Sequence, residues 1–251
     1  MNYGTLAWAR QTGGEVTGVE HLRQWLRTVK FQVASRVRRR PRDLGFGSPA
    51  EIERALAETE LPPTPLVQES LALISSLSPP ALVGHVLRTY AFGTLFGLRD
   101  GLEWNREVFA LAALLHDVAL ARREPARCCF AHDGAEQSLE FLAARGLDDE
   151  RRHRVADAIC LHLRVEVPPA LGVEAHLVHA GAGLDVVGLR ASELDPAMRR
   201  AVLSRHPRGA LVEVLLRLFA EERRRHPTAR ISRWMSLGFG SSIRHNPLDR
   251  P

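Results

Sequence analysis

Apolar residues recur at helical spacing along most of this chain, and no segment sustains the apolar–polar alternation that a β-strand requires. Glycines, prolines and helix-capping residues interrupt the pattern about every 12 to 20 residues, which is a common length for globular helices. A chain of 251 residues, 45% of them apolar, can bury a full domain core. We therefore predict an all-α fold.

Capping signals give the expected helix boundaries. Thr17 with Glu20 predicts a capping box before a helix whose apolar face carries residues 19, 22, 26, 29 and 33. Ser48 with Glu51 predicts a second capping box. Further along the chain, we expect helices at residues 66–77, 81–95, 103–120, 133–145, 149–163, 174–187, 211–219 and 232–237.

The sequence Ser78-Pro79-Pro80 opens one of these helices and provides our domain boundary. Residues 1–77 are predicted to form an N-terminal helical extension. Residues 78–251 are predicted to form the main domain, which ends in a C-terminal helical segment.

The net charge is +5, and Lys30 is the only lysine among 34 basic residues. An arginine excess of this kind usually reflects genomic base composition, so we do not interpret it as phosphate recognition. The basic run at residues 35–43 has no interleaved aromatic residues, and acidic residues follow it soon after. We interpret it as a solvated helix end and do not expect a nucleic-acid partner.

Cysteine content and hydropathy predict a cytoplasmic protein. Cys128, Cys129 and Cys160 are odd in number and lack metal-ligand spacing, so we interpret them as small buried apolar side chains. No apolar run reaches the roughly 18 residues that a transmembrane helix needs. The first residues lack the basic-then-apolar layout of a secretory signal.

Four ionisable residues interrupt apolar helical segments: His85, His116, Asp117 and Asp185. Burying such groups is costly unless they are paired or bound to a metal. Two imidazoles and two carboxylates suit Zn²⁺, Fe²⁺ or Mn²⁺, and four protein ligands leave room for a water on such an ion. Adjacent helical residues diverge by about 100°, so the pair at 116 and 117 can reach one ion only where the helix ends.

A second His-Asp pair, His132-Asp133, follows an apparent loop. Asp133 has the N-cap spacing to Glu136, so helix capping explains this aspartate without any chemistry. We therefore place the metal site at residues 116–117 and leave open whether His132 lines the same pocket.

Several phrases of the sequence resemble the HD-domain superfamily of metal-dependent hydrolases. HVLRTYAFG, ALLHDVAL, DGAEQS, AICLH and LVHAGAGLDVVG look similar to its cyanamide-hydratase-like branch. The resemblance covers about residues 79–187, and the C-terminal GFG…IRHNPLD tail looks related. It implies an HD-domain helical bundle, a small-molecule substrate and one divalent metal, Zn²⁺ in the hydratase. The implied metal ligands are His85, His116, Asp117 and Asp185.

The resemblance also implies catalytic roles. A water activated by the metal would add to a nitrile-like or amide-like carbon, and Asp117 would help to orient that water. His162 matches a recurrent histidine of the family and is expected to face the site. Arg88, one turn beyond His85, would bind an anionic substrate or pair with an acid. His179 is expected to support a ligand carboxylate, although His176 or His179 could replace one of the four ligands.

Three departures from the family limit the resemblance. Phe130 stands where two-metal HD enzymes have a histidine, which argues against a dinuclear site. Val118-Ala119-Leu120 replaces the glycine-lysine that follows His-Asp in many phosphohydrolases. Ala131 replaces an acid of the branch, so substrate specificity is not fixed by the resemblance.

Two other functions stay open from the sequence. The first is a nucleotide or phosphate-ester phosphohydrolase, which would need a pocket ringed by arginines. The second is a non-catalytic HD module that binds a partner. The oligomeric state is not determined, and a homo-oligomer is compatible with the sequence.

Overall fold

The fold is all-α, as predicted. The computed structural model describes residues 2–17, 20, 48–120 and 128–249. The described residues form twelve α-helices and no β-strand, with only an isolated bridge between Glu15 and Ala229. The helices are α1 (Leu6–Thr12), α2 (Pro49–Ala57), α3 (Pro65–Leu77), α4 (Pro80–Arg99), α5 (Arg106–Leu115), α6 (Phe130–Ala143), α7 (Asp149–Leu161), α8 (Val173–Val187), α9 (Pro196–Arg205), α10 (Leu211–Arg225), α11 (Arg230–Ser236) and α12 (Phe239–Arg244).

Both predicted capping boxes have the expected contacts. The Ser48 side chain accepts from the Glu51 backbone, and the Glu51 side chain accepts from the Ser48 backbone. Thr17 and Glu20 exchange the corresponding bonds, at 2.9 and 3.3 Å. The apolar face predicted after Thr17 and the basic run at 35–43 lie outside the described residues.

Helix α5 is the centre of the core. Residues 108–115 are all fully buried, and they pack against α3, α4, α7 and α8. Helices α4 and α8 lie unusually close together. A Cβ atom on Gly93 would lie 2.7 Å from the carbonyl oxygen of Leu177, and one on Gly181 would overlap the carbonyl oxygen of Thr89. Gly93 and Gly181 therefore allow the two helix backbones to touch.

Several predicted helix boundaries are wrong. The helix predicted at 81–95 extends to Arg99, and the helix predicted at 211–219 extends to Arg225. The helix expected at 103–120 begins at Arg106, because the Asn105 side chain accepts from the Val108 backbone over 3.0 Å, and it ends at Leu115. The helix expected to start after Asp133 begins at Phe130 instead. Its first backbone N–H donates to the Glu222 carboxylate over 2.9 Å. Because Glu222 lies 92 residues away in the sequence, the local spacing of capping residues could not predict this helix start.

Residues on both sides of the predicted domain boundary share one core. Leu6 and Trp8 of α1 and Val67 and Ile74 of α3 are buried in the same cluster as α5. The boundary at residue 78 stays a prediction.

Helix α9, which we did not predict, begins at a visible Asp195-Pro196 cap. Within the described residues, no helix combines the length and apolarity that crossing a membrane demands.

Candidate metal centre

Three helices bring the candidate site residues to one buried point. His85 lies within α4, and His116 occupies the position directly after the last residue of α5. Adjacent side chains within a helix point about 100° apart. Because α5 ends at Leu115, His116 and Asp117 are free of this constraint, and both side chains can reach the same point. His162 follows α7 in the same way, so a second helix ends at this point.

Three ligand atoms converge at the centre of the site. Nε2 of His85 lies 3.2 Å from Nε2 of His116. Oδ2 of Asp117 lies 3.5 Å from the first of these nitrogens and 3.4 Å from the second. The three residues are 1%, 1% and 4% exposed. They are the group of ligating side chains that the described residues bring together in a metal-binding arrangement.

Hydrogen bonds fix the tautomers of the two histidines. Nδ1 of His116 lies 2.8 Å from the carbonyl oxygen of Ala113, which can only accept, so Nδ1 carries the hydrogen. Burial lowers the pKa of His116 and keeps the ring neutral. Nδ1 of His85 lies 2.8 Å from Oδ2 of Asp185. The Nε2 atoms of the two rings are therefore the ones that face each other at the centre of the site.

This arrangement fits a divalent cation. Two imidazole nitrogens and a carboxylate oxygen are ligand atoms that can bind one cation lying among them. Tetrahedral metal–ligand bonds of about 2.0–2.1 Å separate neighbouring ligand atoms by roughly 3.3–3.4 Å. The observed separations of 3.2, 3.4 and 3.5 Å match that spacing. The buried His85-His116-Asp117 cluster can hold one metal ion.

Asp185 lies next to the cluster but on the far side of the His85 ring. Its Oδ2 accepts from His85 and from Arg88, and its Oδ1 accepts from Arg88 and Arg208 at 2.8 and 2.7 Å. Burial raises the pKa of this carboxyl, but the bonds from His85 and Arg88 outweigh burial and the pKa is lowered. We expected Asp185 to be a fourth metal ligand. In the structure, both of its oxygens accept hydrogen bonds from protein groups, and the carboxylate orients the His85 ring.

Arg88 also has a different position from the one expected of a substrate-binding group. It is fully buried and binds both oxygens of Asp185. Its Nη1 donates to the carbonyls of His206 and Pro207 at 3.0 and 2.9 Å. We considered two roles for Arg88, binding of an anionic substrate or pairing with an acid, and in the structure Arg88 is paired with an acid. Arg88 is a positioning residue behind His85.

Sequence reasoning missed the residues that complete this support. Arg208 bridges Asp185 to Asp249, with a bond of 2.6 Å to the latter, and it also donates to the Asp185 carbonyl. Asn246 donates to that carbonyl over 2.9 Å and to that of Leu184 over 3.2 Å. Asn246 and Asp249 lie in the NPLD part of the tail that we recognised. No local pattern marks Arg208.

His162 lines the site, as expected. Its Nδ1 lies 2.5 Å from the carbonyl oxygen of Ile159, so Nε2 is the acceptor, and it lies 3.9 Å from Oδ1 of Asp117. Burial lowers the pKa of His162 well below its usual range, with a further contribution from His116. The ring is therefore a neutral hydrogen-bond acceptor that faces the second oxygen of Asp117.

The other candidate histidines are not among the converging ligands, although His179 also lines the cavity. His179 donates from Nδ1 to the carbonyl oxygen of His162 over 3.0 Å, so it supports a site histidine and not a carboxylate. His176 bonds the carbonyl of Val167. His132 lies in the first turn of α6, with Nδ1 3.2 Å from Sγ of Cys128, and is not among the residues that line the cavity.

A cavity of about 300 Å³ opens from the candidate ligands. His85, His116, Asp117 and His162 form its polar end. The rest of its wall is mainly apolar, and α8, α10, α11 and α12 all contribute to it. The arrangement can therefore hold a cation, a water and a small molecule in one cavity.

Residues 82–199 match the family model described as the HD domain. This match supports the assignment of these residues to the HD-domain superfamily. HD domains are generally metal-dependent hydrolases, and the match includes the three converging ligands and Asp185. Among curated proteins, none matches the chain. The HD match ends before Arg208 and before the C-terminal helices that wall the cavity.

Proposed function

We propose that this protein is a mononuclear metal-dependent hydratase or hydrolase that acts on a small, neutral, nitrile-like or amide-like molecule. His85, His116 and Asp117 would bind the ion, with Zn²⁺ as the first choice and Fe²⁺ or Mn²⁺ as alternatives. The observation that carries the proposal is the convergence of three buried ligand atoms: two Nε2 atoms 3.2 Å apart, with a carboxylate oxygen beside both.

The bound metal would lower the pKa of a water and polarise the substrate. Asp117 and His162 are arranged to hold that water. Oδ1 of Asp117 and Nε2 of His162 are both acceptors, and the 3.9 Å between them is too long for a direct hydrogen bond. A water between them would donate one hydrogen to each, which would direct its lone pair towards the cavity. His162 is placed to take up a proton as the water adds, and because burial lowers its pKa, the ring would pass this proton on to the substrate nitrogen.

The arginines at the cavity favour a neutral substrate over a phosphate ester. Arg190 stacks over Phe96 at 4.2 Å and forms ion pairs with Asp100 and Glu193 at 2.6 and 3.0 Å. Arg164 donates to the carbonyls of Tyr3 and Glu166. Because both guanidinium groups already donate to protein groups, fewer of their N–H groups are left to bind a phosphate. This supports the hydratase proposal against the phosphohydrolase alternative.

A substrate panel tests the proposal directly. Metal-loaded protein is assayed with cyanamide, small nitriles, small amides and nucleotides, and the products are identified by chromatography. We expect conversion of nitriles or amides and no release of phosphate. His162→Gln should lower kcat about 10²- to 10⁴-fold and keep the metal. His132→Gln, at the second His-Asp pair, is the matched control. This variant should keep the wild-type kcat and the bound metal.

Phosphate release from nucleotides would support the phosphohydrolase alternative and overturn ours. A full metal complement with no turnover of any substrate class would instead favour a non-catalytic HD module.

A further inference from the structure

A continuous row of aromatic rings leads away from the polar end of the cavity. The ring centroids of His162 and Phe130 lie 5.9 Å apart, and those of Phe130 and Phe219 lie 6.5 Å apart. Phe219 is followed by Phe239 at 6.2 Å, and Phe239 by Trp234 at 5.7 Å. All five residues line the cavity. We call Phe130, Phe219, Phe239 and Trp234 the aromatic wall.

The aromatic wall runs from a buried end to a half-buried end. Phe130 and Phe219 are 1% and 4% exposed, whereas Phe239 and Trp234 are partly exposed. The buried end touches His162, and the half-buried end belongs to α11 and α12. A molecule that enters past these two helices would meet aromatic faces before its reactive end reaches the candidate metal ligands.

The volume of the cavity exceeds what the reacting group alone requires. At roughly 30 Å³ per water, a cavity of about 300 Å³ has room for the volume of about ten waters. A nitrile with three heavy atoms would fill about a third of it and leave the aromatic wall in contact with water. Apolar surface is stabilised when a ligand removes it from water. The unused length of the cavity therefore suits an apolar substituent.

We propose that the preferred substrate carries an apolar, ring-sized substituent that packs along the aromatic wall, with its nitrile-like carbon at the polar end. This inference rests on the proposed function for the identity of the reacting group. In the reaction, water oxygen bonds to the nitrile carbon, and both water hydrogens are transferred to the nitrogen. Hydration of R–C≡N thus gives R–C(=O)–NH₂, with no oxidant or second substrate.

A matched pair of substrates isolates the substituent. Acetonitrile and phenylacetonitrile differ by one phenyl group, and kcat/KM is measured for both with the metal-loaded full chain. We expect phenylacetonitrile to be preferred by at least about 10-fold, because aromatic packing and burial of a ring contribute free energies of that size. Phe239→Ala and Trp234→Ala should each reduce this preference about 10-fold. A wild-type preference near one, with measurable hydration of acetonitrile, would overturn the inference and leave the proposed function intact.

Phe141→Ala is the control variant. Phe141 is a half-buried phenylalanine on α6 that lies under Arg145, at 3.7 Å, and does not line the cavity. The preference for phenylacetonitrile should be unchanged in this variant. If Phe141→Ala reduced the preference as much as Phe239→Ala, a general loss of packing would explain both, and the inference would fail.

Binding of the amide products separates failure of the inference from failure of the proposed function. Phenylacetamide and acetamide are titrated into the protein by calorimetry. Tighter binding of phenylacetamide, weakened in Trp234→Ala, supports the aromatic wall even if no nitrile is hydrated, in which case only the reaction is wrong. Equal or absent binding of the two amides overturns the inference.

Discussion

Asp117 and Asp185 are both buried beside histidines, but their surroundings differ. Asp117 has one oxygen against the two Nε2 atoms and the other towards His162. Asp185 has both oxygens bonded to His85 and two arginines. Asp117 can therefore bind a cation, whereas Asp185 orients the His85 ring and fixes the hydrogen on its Nδ1.

Replacement of the two aspartates should therefore give different losses of metal affinity. We expect Asp117→Asn to remove a ligand and abolish stoichiometric metal binding. Asp185→Asn should weaken binding only about 10- to 100-fold, the usual effect of losing a carboxylate behind a ligand histidine. Metal affinity is measured by competition with a chromophoric chelator, and thermal unfolding of each apo-variant is followed in parallel.

Asp249→Asn is the milder control, since it removes only the outer partner of Arg208. Its metal affinity should fall less than that of Asp185→Asn. Equal, complete loss of metal in Asp117→Asn and Asp185→Asn, with both variants folded, would restore Asp185 as the fourth ligand.

His179 should make the fold sensitive to acid. Burial lowers its pKa from 6.5 to about 4, so the folded protein holds this ring neutral. Below pH 6.5 the unfolded chain takes up a proton that the folded chain does not, and stability falls as the pH drops towards 4. At about 1.4 kcal/mol per pH unit, the loss reaches on the order of 3 kcal/mol.

The variant His179→Gln isolates this contribution, because other buried histidines also titrate. Free energies of unfolding are measured in urea at pH 7.5 and pH 4.5 for both proteins. The decrease should be smaller in the variant, whose amide can still donate to the His162 carbonyl. An identical decrease in the two proteins would show that His179 has an ordinary pKa.

At the scale of the helices, the contact between α4 and α8 positions the site. His85 is carried by one helix and Asp185 by the other, and Gly93 and Gly181 let the two backbones touch. A methyl group at Gly181 would meet the Thr89 carbonyl, which is backbone and cannot move aside cheaply. We expect Gly181→Ala to cost about 1–3 kcal/mol or more and to weaken metal binding.

Gly134→Ala is the matched control for this substitution. Gly134 lies within α6, and a Cβ there would make ordinary contacts of 3.4 Å and longer. Because alanine favours a helix interior by roughly 0.5–1 kcal/mol, this variant should be as stable as the wild type or more stable. Urea unfolding measures both changes. A neutral Gly181→Ala would mean that the helices are not in backbone contact.

Helix existence was more predictable than helix ends. The apolar periodicity identified α3, α4, α5, α7 and α8, because burial of one face decides whether a helix forms. The start of α6 was missed because its cap is Glu222, a distant side chain, while local spacing pointed to Asp133. Tertiary contacts override local capping signals where a buried carboxylate can reach the helix start.

For the whole molecule, residues outside the HD match contribute to both the core and the cavity. The sequence allowed us to predict the converging His85, His116 and Asp117, since each is an ionisable group in an apolar helical segment. It could not indicate that Arg208 binds Asp185, because the two are brought together only by folding. The aromatic wall was missed for the same reason: its rings come from four separate helices.

The N-terminal segment offers a test of this integration. Trp8 is 5% exposed, belongs to the main core and lies over Arg230 at 5.2 Å. We expect Trp8→Ala to destabilise the protein by about 3–5 kcal/mol, the usual cost of truncating a buried tryptophan. Urea unfolding of the full chain measures the change. A loss below about 1 kcal/mol would mean that α1 is peripheral to the fold.

Elemental analysis can measure whether His85, His116 and Asp117 bind one divalent cation. Untagged protein is supplied with Zn²⁺, Fe²⁺ or Mn²⁺, dialysed and analysed by mass spectrometry, beside His116→Ala and His132→Ala. We expect about one metal per chain in the wild type and in His132→Ala, and almost none in His116→Ala. Metal-free wild-type protein, or full metal content in His116→Ala, would contradict this expectation.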